Sequence, residues 1–316
     1  MAVYTHVSTE EMEALLARYA VGTLLSAKGI AEGVENSNYL VETSDGRFIL
    51  TLYEKRVDAG DLPFFLALLD HLADRGALVP RALKDGDGVQ IQMVAGRPAC
   101  LIEFLQGVSV SHPTPAHARA TGAALGAMHA ALADFEGTRP NSLGLAGWHE
   151  LAARCGTQLD AIASGLGARV EAELAYLDAH WPATLPTSVI HADLFPDNVL
   201  MLDAHVTGII DFYFACSEIR AWDLAVTHAA WCFEEEGARF RSDLGAALIE
   251  GYEVNFGLSA EERAAFPVLA RGACLRFLLT RAWDWLNTPA GALVTRKDPL
   301  AFLRRLDAYA EGVAGA

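Results

Sequence analysis

The feature that most constrains this chain is the stretch at residues 188–212, SVIHADLFPDNVLMLDAHVTGIIDF. Its apolar runs at 189–190, 199–202 and 206–210 are short, rich in β-branched residues and interrupted at 203–205, so they read as strands around a turn. Folded that way, Asp193, Asn198 and Asp211 gather at one end of a small hairpin. Two carboxylates and an amide there suit Mg²⁺, a hard cation that takes oxygen ligands and is usually shared with substrate phosphates. Asp and Asn also favour turns, and each alone reads as a turn residue. The spacing of the whole set between strands is what points to chemistry.

His191 through Asn198 spell H-x-D-x-x-x-x-N, and Asp211-Phe212 follows the second apolar run. This pattern resembles the catalytic loop and metal segment of kinase-like phosphotransferases. Ala192 stands where protein kinases carry arginine, and Tyr213 rather than glycine follows Phe212. Both departures resemble the aminoglycoside phosphotransferase and choline kinase branch, whose substrates are small molecules. The resemblance implies that Asp193 is the catalytic base, that Asn198 and Asp211 are metal ligands, and that ATP and Mg²⁺ are used. His191 reads as a brace for the loop, and Asp197 as a solvated neighbour. Such a set matches what phosphoryl transfer needs: a carboxylate to accept a hydroxyl proton and a metal to neutralise phosphate charge.

At 316 residues the chain has length for about two domains. Its net charge of −16 disfavours nucleic acid and anionic membranes as partners, because both select basic patches. The five cysteines, at 100, 155, 216, 232 and 274, are odd in number and form no CxxC, so they read as free core thiols in a reducing compartment. The first residues lack a basic segment followed by an apolar run, and no apolar stretch reaches membrane-span length. A soluble cytoplasmic protein is expected.

Along the chain, a capped helix is expected after Ser8, followed by strands at 23–31, 37–43 and 47–53 with a hairpin turn at 44–46. A helix at 61–75 and strands at 89–94 and 97–104 complete a β-rich first lobe. By the kinase-like order, the turn at 32–38 covers ATP phosphates, with Asn36, Ser37 and Asn38 as donors. The segment with Glu103, Phe104 and Leu105 resembles the hinge that meets adenine. Helical patterns then cover 115–134, 148–163, 167–180, 221–236, 239–256, 259–287 and 298–313, interrupted only by the 188–212 hairpin. The resemblance implies an α+β, two-lobed protein-kinase-like fold: a nucleotide-binding lobe at 1–107 and a helical lobe at 108–316 with the catalytic loop. Asp223, in a D-L-A segment, is expected to brace that loop.

The third strand departs from most such kinases. Where a phosphate-binding lysine or arginine is usual, Thr51 stands. This departure, with ENSNY at 35–39, RFILTLYE at 47–54, LPFF at 62–65 and LRFLLTR at 275–281, resembles the bacterial homoserine kinases built on the aminoglycoside-phosphotransferase fold. That family phosphorylates the side-chain hydroxyl of L-homoserine with ATP in threonine synthesis. Neither a G-L-G-S-S-A-A loop nor a P-loop occurs, and 164–169 reads as a helix break. Homoserine carries an ammonium and a carboxylate. Arg281 and Asp284, at i, i+3 on one late helix, are candidates to meet them, while the same spacing reads equally as a surface salt bridge over a Trp-rich core. A kinase of the same fold acting on choline, an amino alcohol or an aminoglycoside is the alternative, and a nucleotide-binding pseudokinase is a third.

Overall fold

A computed structural model describes residues 4–30, 36–54, 58–288 and 296–313. The chain divides into two compact units, Met1–Gln106 and Gly107–Ala316.

In the first unit, α1 (Thr9–Leu16) begins at Ser8, whose hydroxyl accepts from the Glu11 amide while the Glu11 carboxylate accepts from the Ser8 amide. This reciprocal cap satisfies amides that a helix start leaves unpaired. Strands β1 (Leu24–Gly29), β2 (Ser37–Thr43), β3 (Arg47–Leu52), β4 (Gln92–Val94) and β5 (Arg97–Glu103) form an antiparallel sheet in the order β1-β2-β3-β5-β4. Alternation along the strands turns Tyr39, Val41, Leu50, Leu52, Ala99 and Leu101 into one core with Met12, Leu15 and Leu16 of α1. Helix α2 (Leu62–Asp74) stops before Gly76, whose φ is +77°. The strand expected from residue 89 starts only at Gln92. The Asp85 carboxylate takes the amides of Asp87 and Val89, and that turn competes with the ladder.

In the second unit, the helices are α3 (Pro115–Ala131), α4 (Leu145–Cys155), α5 (Leu159–Ile162), α6 (Leu166–His180), α7 (Arg220–Trp231), α8 (Ser242–Asn255), α9 (Ala260–Asn287) and α10 (Leu300–Ala310). Three short antiparallel pairs lie among them: β6 (Thr187–Ile190) with β9 (Cys216–Ile219), β7 (Val199–Leu202) with β8 (His205–Ile209), and β10 (Phe233–Glu234) with β11 (Arg239–Phe240). The helix expected over 148–163 breaks at Gly156, where φ is +51°. Those expected over 221–236 and 239–256 lose 233–240 to the β10–β11 hairpin, whose turn holds Glu235, Glu236 and Gly237 at positive φ. The five cysteines are buried thiols. Burial pushes Cys100 up to about 11 and Cys216 up to about 12, so neither is a ready nucleophile at neutral pH. No helix among the described residues is long and apolar enough to cross a membrane.

Helices α3 and α8 approach so closely that only glycine fits at their seam. A Cβ on Gly122 would overlap the Leu248 carbonyl oxygen, and one on Gly251 would overlap that of Arg119. Gly122→Ala is therefore expected to destabilise the fold by about 1–3 kcal/mol, the usual cost of overpacking, although alanine favours helix by about 1 kcal/mol. Urea unfolding checks this, and a midpoint at or above the parent's would show that the helices part freely.

Candidate active site

The two pairs β6–β9 and β7–β8 position the loop that carries the H-x-D-x-x-x-x-N pattern. Asn198 precedes β7 and Asp211 follows β8 by two residues, and the Ile210 amide donates to the Asn198 carbonyl at 3.0 Å. The open end of the hairpin thus brings Asn198 and Asp211 to one place, as the spacing suggested. Ala192 and Asp211 both sit in the left-handed region, with φ of +64° and +67°. Residues with a Cβ rarely adopt it, and such strain persists only where surrounding contacts hold it.

At Ala192 those contacts come largely from Asp223, fully buried on α7. Its two oxygens accept from the amides of His191 and Ala192, each at 2.8 Å. His129 of α3 donates Nε2–H to the same carboxylate at 3.1 Å, and its Nδ1 accepts from the Tyr252 hydroxyl of α8 at 2.8 Å. Burial opposes charge on Asp223, yet these hydrogen bonds hold its carboxyl below the usual range. His191 donates Nε2–H to the Ile210 carbonyl at 3.0 Å and accepts the Asp193 amide on Nδ1 at 3.2 Å. Both ring nitrogens are thus occupied in a neutral imidazole, and burial lowers its pKa. Through these contacts His191 and Asp223 both engage the backbone of the loop.

Asp193 is held by Asn198, whose Nδ2 donates to the Asp193 carbonyl at 2.8 Å and reaches its Oδ2 at 3.3 Å. With the amide nitrogen so used, Oδ1 remains as the acceptor atom of the Asn198 side chain. Asp193 keeps 18% of its side-chain surface open. Burial pushes its carboxyl up to about 8; Arg276 pulls it back, while Asp211 and Asp197 push further up. Arg276 was read from the sequence only as part of the late helix with Arg281 and Asp284, without a role at the loop. It lies in the apolar run 275–279 of α9, is 2% exposed, donates Nη1 to the Ala192 carbonyl, and sets Nη2 3.8 Å from Asp193 Oδ1. A charge inside an apolar helix stripe was the available signal.

Other expected residues fall elsewhere. The turn at 32–35 lies outside the described residues. Ser37 is fully buried; its hydroxyl donates to Glu54 at 2.8 Å and accepts from the amides of Tyr4 and Thr5. The Asn36 side chain is 3% exposed and accepts the Glu54 amide. The side-chain donors expected of Ser37 and Asn36 are therefore turned into the lobe, because the strand ends need them. Asn38 pairs with Thr51 across β2 and β3, and its Oδ1 accepts the Thr51 hydroxyl at 2.7 Å, which explains a buried threonine there. Glu103 closes β5 and holds the Arg81 amide at 3.0 Å; the Phe104 ring lies under the Arg47 guanidinium at 4.4 Å, and Leu105 follows outside any strand. Arg281 does not stand free as a clamp. Its Nη1 donates to the Asp298 carbonyl at 3.2 Å, its guanidinium lies 4.6 Å from the Phe302 ring centre, and burial lowers it to about 10. Asp284 lies one turn further along α9.

Among the described residues, no three His, Cys, Asp or Glu side chains come together as a metal cluster. The oxygen set at the loop has two carboxylates and an amide, chemistry that fits a hard cation sharing its remaining positions with phosphate oxygens.

The phosphotransferase enzyme family matches residues 26–258. A homoserine kinase of Zymomonas mobilis is 58% identical over 313 residues, covering 98% of each chain. One from Xanthobacter autotrophicus is 54% identical over 306 residues, covering 97% of this chain and 95% of its own. Among solved structures, a spectinomycin phosphotransferase in complex with ADP and spectinomycin aligns with a TM-score of 0.74 at 13% identity, over 97% of this chain and 98% of the other. That likeness concerns the fold, which is α+β and protein-kinase-like. Identity sustained from end to end is the stricter criterion, and by it the chain belongs to the phosphotransferase enzyme family and, within it, to the homoserine kinase family.

Proposed function

We propose that the protein transfers the γ-phosphoryl group of ATP to the side-chain hydroxyl of L-homoserine, giving O-phospho-L-homoserine in threonine synthesis. The observation that carries the choice of acceptor is 58% identity over 98% of both chains to a homoserine kinase. Asp193 is the base. It takes the hydroxyl proton as that oxygen replaces the ADP oxygen at phosphorus, and Asn198 holds its carboxylate in the orientation this requires. Arg276, beside it, favours the charged carboxylate that can accept the proton. Asn198 Oδ1 and the Asp211 carboxylate are the ligands for Mg²⁺, which when bound neutralises phosphate charge. The main chain at Phe104 and Leu105, beyond the last strand of the sheet, is assigned to adenine. Five buried thiols suit a reducing cytoplasm.

The test is ADP release with Mg²⁺-ATP against L-homoserine, L-serine, choline, ethanolamine and kanamycin. Turnover confined to L-homoserine is expected; preference for another acceptor would overturn the assignment. Asp211→Ala is expected to remove the Mg²⁺ dependence of ATP binding, measured by calorimetry across a Mg²⁺ titration. An unchanged titration would deny Asp211 its ligand role.

A further inference from the structure

We infer that Asp197 and Lys297 form the clamp for the α-ammonium and α-carboxylate of an amino-acid acceptor. The inference rests on the phosphotransfer reading above and locates the acceptor's charged head. Asp197 lies in the turn Pro196–Asn198, four residues after Asp193 in the same loop. Lys297 reaches that turn from the segment just before α10 and places Nζ 3.5 Å from Asp197 Oδ2. Both side chains are 62% exposed, so the pair contributes little to the fold and its groups are open to exchange partners.

An amino-acid head carries the same two charges at short separation. Inserted between these residues, it exchanges one ion pair for two: carboxylate against Lys297, ammonium against Asp197. Two methylenes separate its α-carbon from the hydroxyl. That short span demands that the clamp adjoin the base, and the catalytic loop itself supplies the clamp's acidic half.

The supports are fixed although the charged tips meet water. Asp298, next to Lys297, accepts the Leu300 amide at 2.9 Å and Arg304 Nη2 at 3.0 Å, and Arg281 donates to its carbonyl. Phe195, whose ring centre is 5.8 Å from Lys297 Nζ, packs on Phe277 at 4.8 Å. Charges mounted on anchored elements lose little freedom on binding, which favours affinity. In this arrangement Arg281 serves the clamp by holding the segment that carries Lys297.

The test uses L-homoserine and two half-heads, 3-aminopropan-1-ol, which lacks the carboxylate, and 4-hydroxybutanoate, which lacks the ammonium. Each is read as acceptor or as competitive inhibitor of L-homoserine. Lys297→Met is expected to weaken L-homoserine and 4-hydroxybutanoate by about 10–100-fold, the worth of a charge-assisted bond, and to leave 3-aminopropan-1-ol unchanged. Asp197→Asn should show the reverse selectivity, weakening L-homoserine and 3-aminopropan-1-ol alone. The KM for ATP should hold in both variants. Equal weakening of all three, no weakening, or half-heads that do not engage the parent enzyme would each overturn the clamp. A parent enzyme inactive on L-homoserine would instead break the proposed function.

Discussion

Asp193→Asn is expected to fold like the parent and to lose about 10²–10⁴ in kcat, the usual worth of a positioned general base. Asparagine keeps the shape of the side chain, and Asn198 still donates to the carbonyl of residue 193, so the loop has no reason to move. What disappears is the oxygen pair that accepts the proton. Because burial pushes Asp193 up and Arg276, 3.8 Å away, only partly offsets it, the substitution also removes a carboxyl that is costly to ionise in the fold. Stability is therefore expected to stay equal or rise slightly. Steady-state rates with circular dichroism and thermal melts decide the matter. A well-folded variant turning over at the parental rate would remove the base assignment.

Asp223→Ala should fail differently, through the fold. The carboxylate accepts from two loop amides and from His129 with no solvent nearby. Truncation strands those donors in the interior, and breaking a buried charged network costs about 3–5 kcal/mol. Since its folded carboxyl is held below the usual range, Asp223's contribution is complete above about pH 4 and is lost as pH falls through the folded value. The parent should thus lose stability on acidification in a way the variant does not. Urea midpoints at pH 7 and at a series of pH values below about 4 test both statements, and parallel pH curves would show that Asp223 carries no such linkage.

The hairpin that joins Asn198 to Asp211 was legible because short apolar runs between the polar positions leave the chain little choice of path. The five-stranded sheet was legible from alternation and from the turn at 44–46. The pairing of β6 with β9 was not, because Thr187 meets Ile219 across 31 intervening positions, and Cys-Ser-Glu-Ile has no pattern of its own. The 233–240 hairpin was hidden by helix-forming glutamates; Gly237 was the local sign, and its effect needed the rest of the unit to enforce it. The place of Arg276 beside Asp193 was not legible, since the two are distant in sequence and only packing of α9 brings them together.

The close seam between α3 and α8 has a consequence for the base. A Cβ on Gly126 would overlap the Tyr252 carbonyl oxygen, so the glycine face sets how near Tyr252 comes to α3. From Tyr252 a chain of hydrogen bonds runs through His129 and Asp223 to the His191 and Ala192 amides beside Asp193. The interhelical distance thus acts as a gauge for the loop. Gly126→Ala, which adds a methyl group at this seam, is expected to lower kcat with the acceptor KM unchanged, as steady-state kinetics would show. Damage to catalysis can in this way originate at a surface that touches neither substrate.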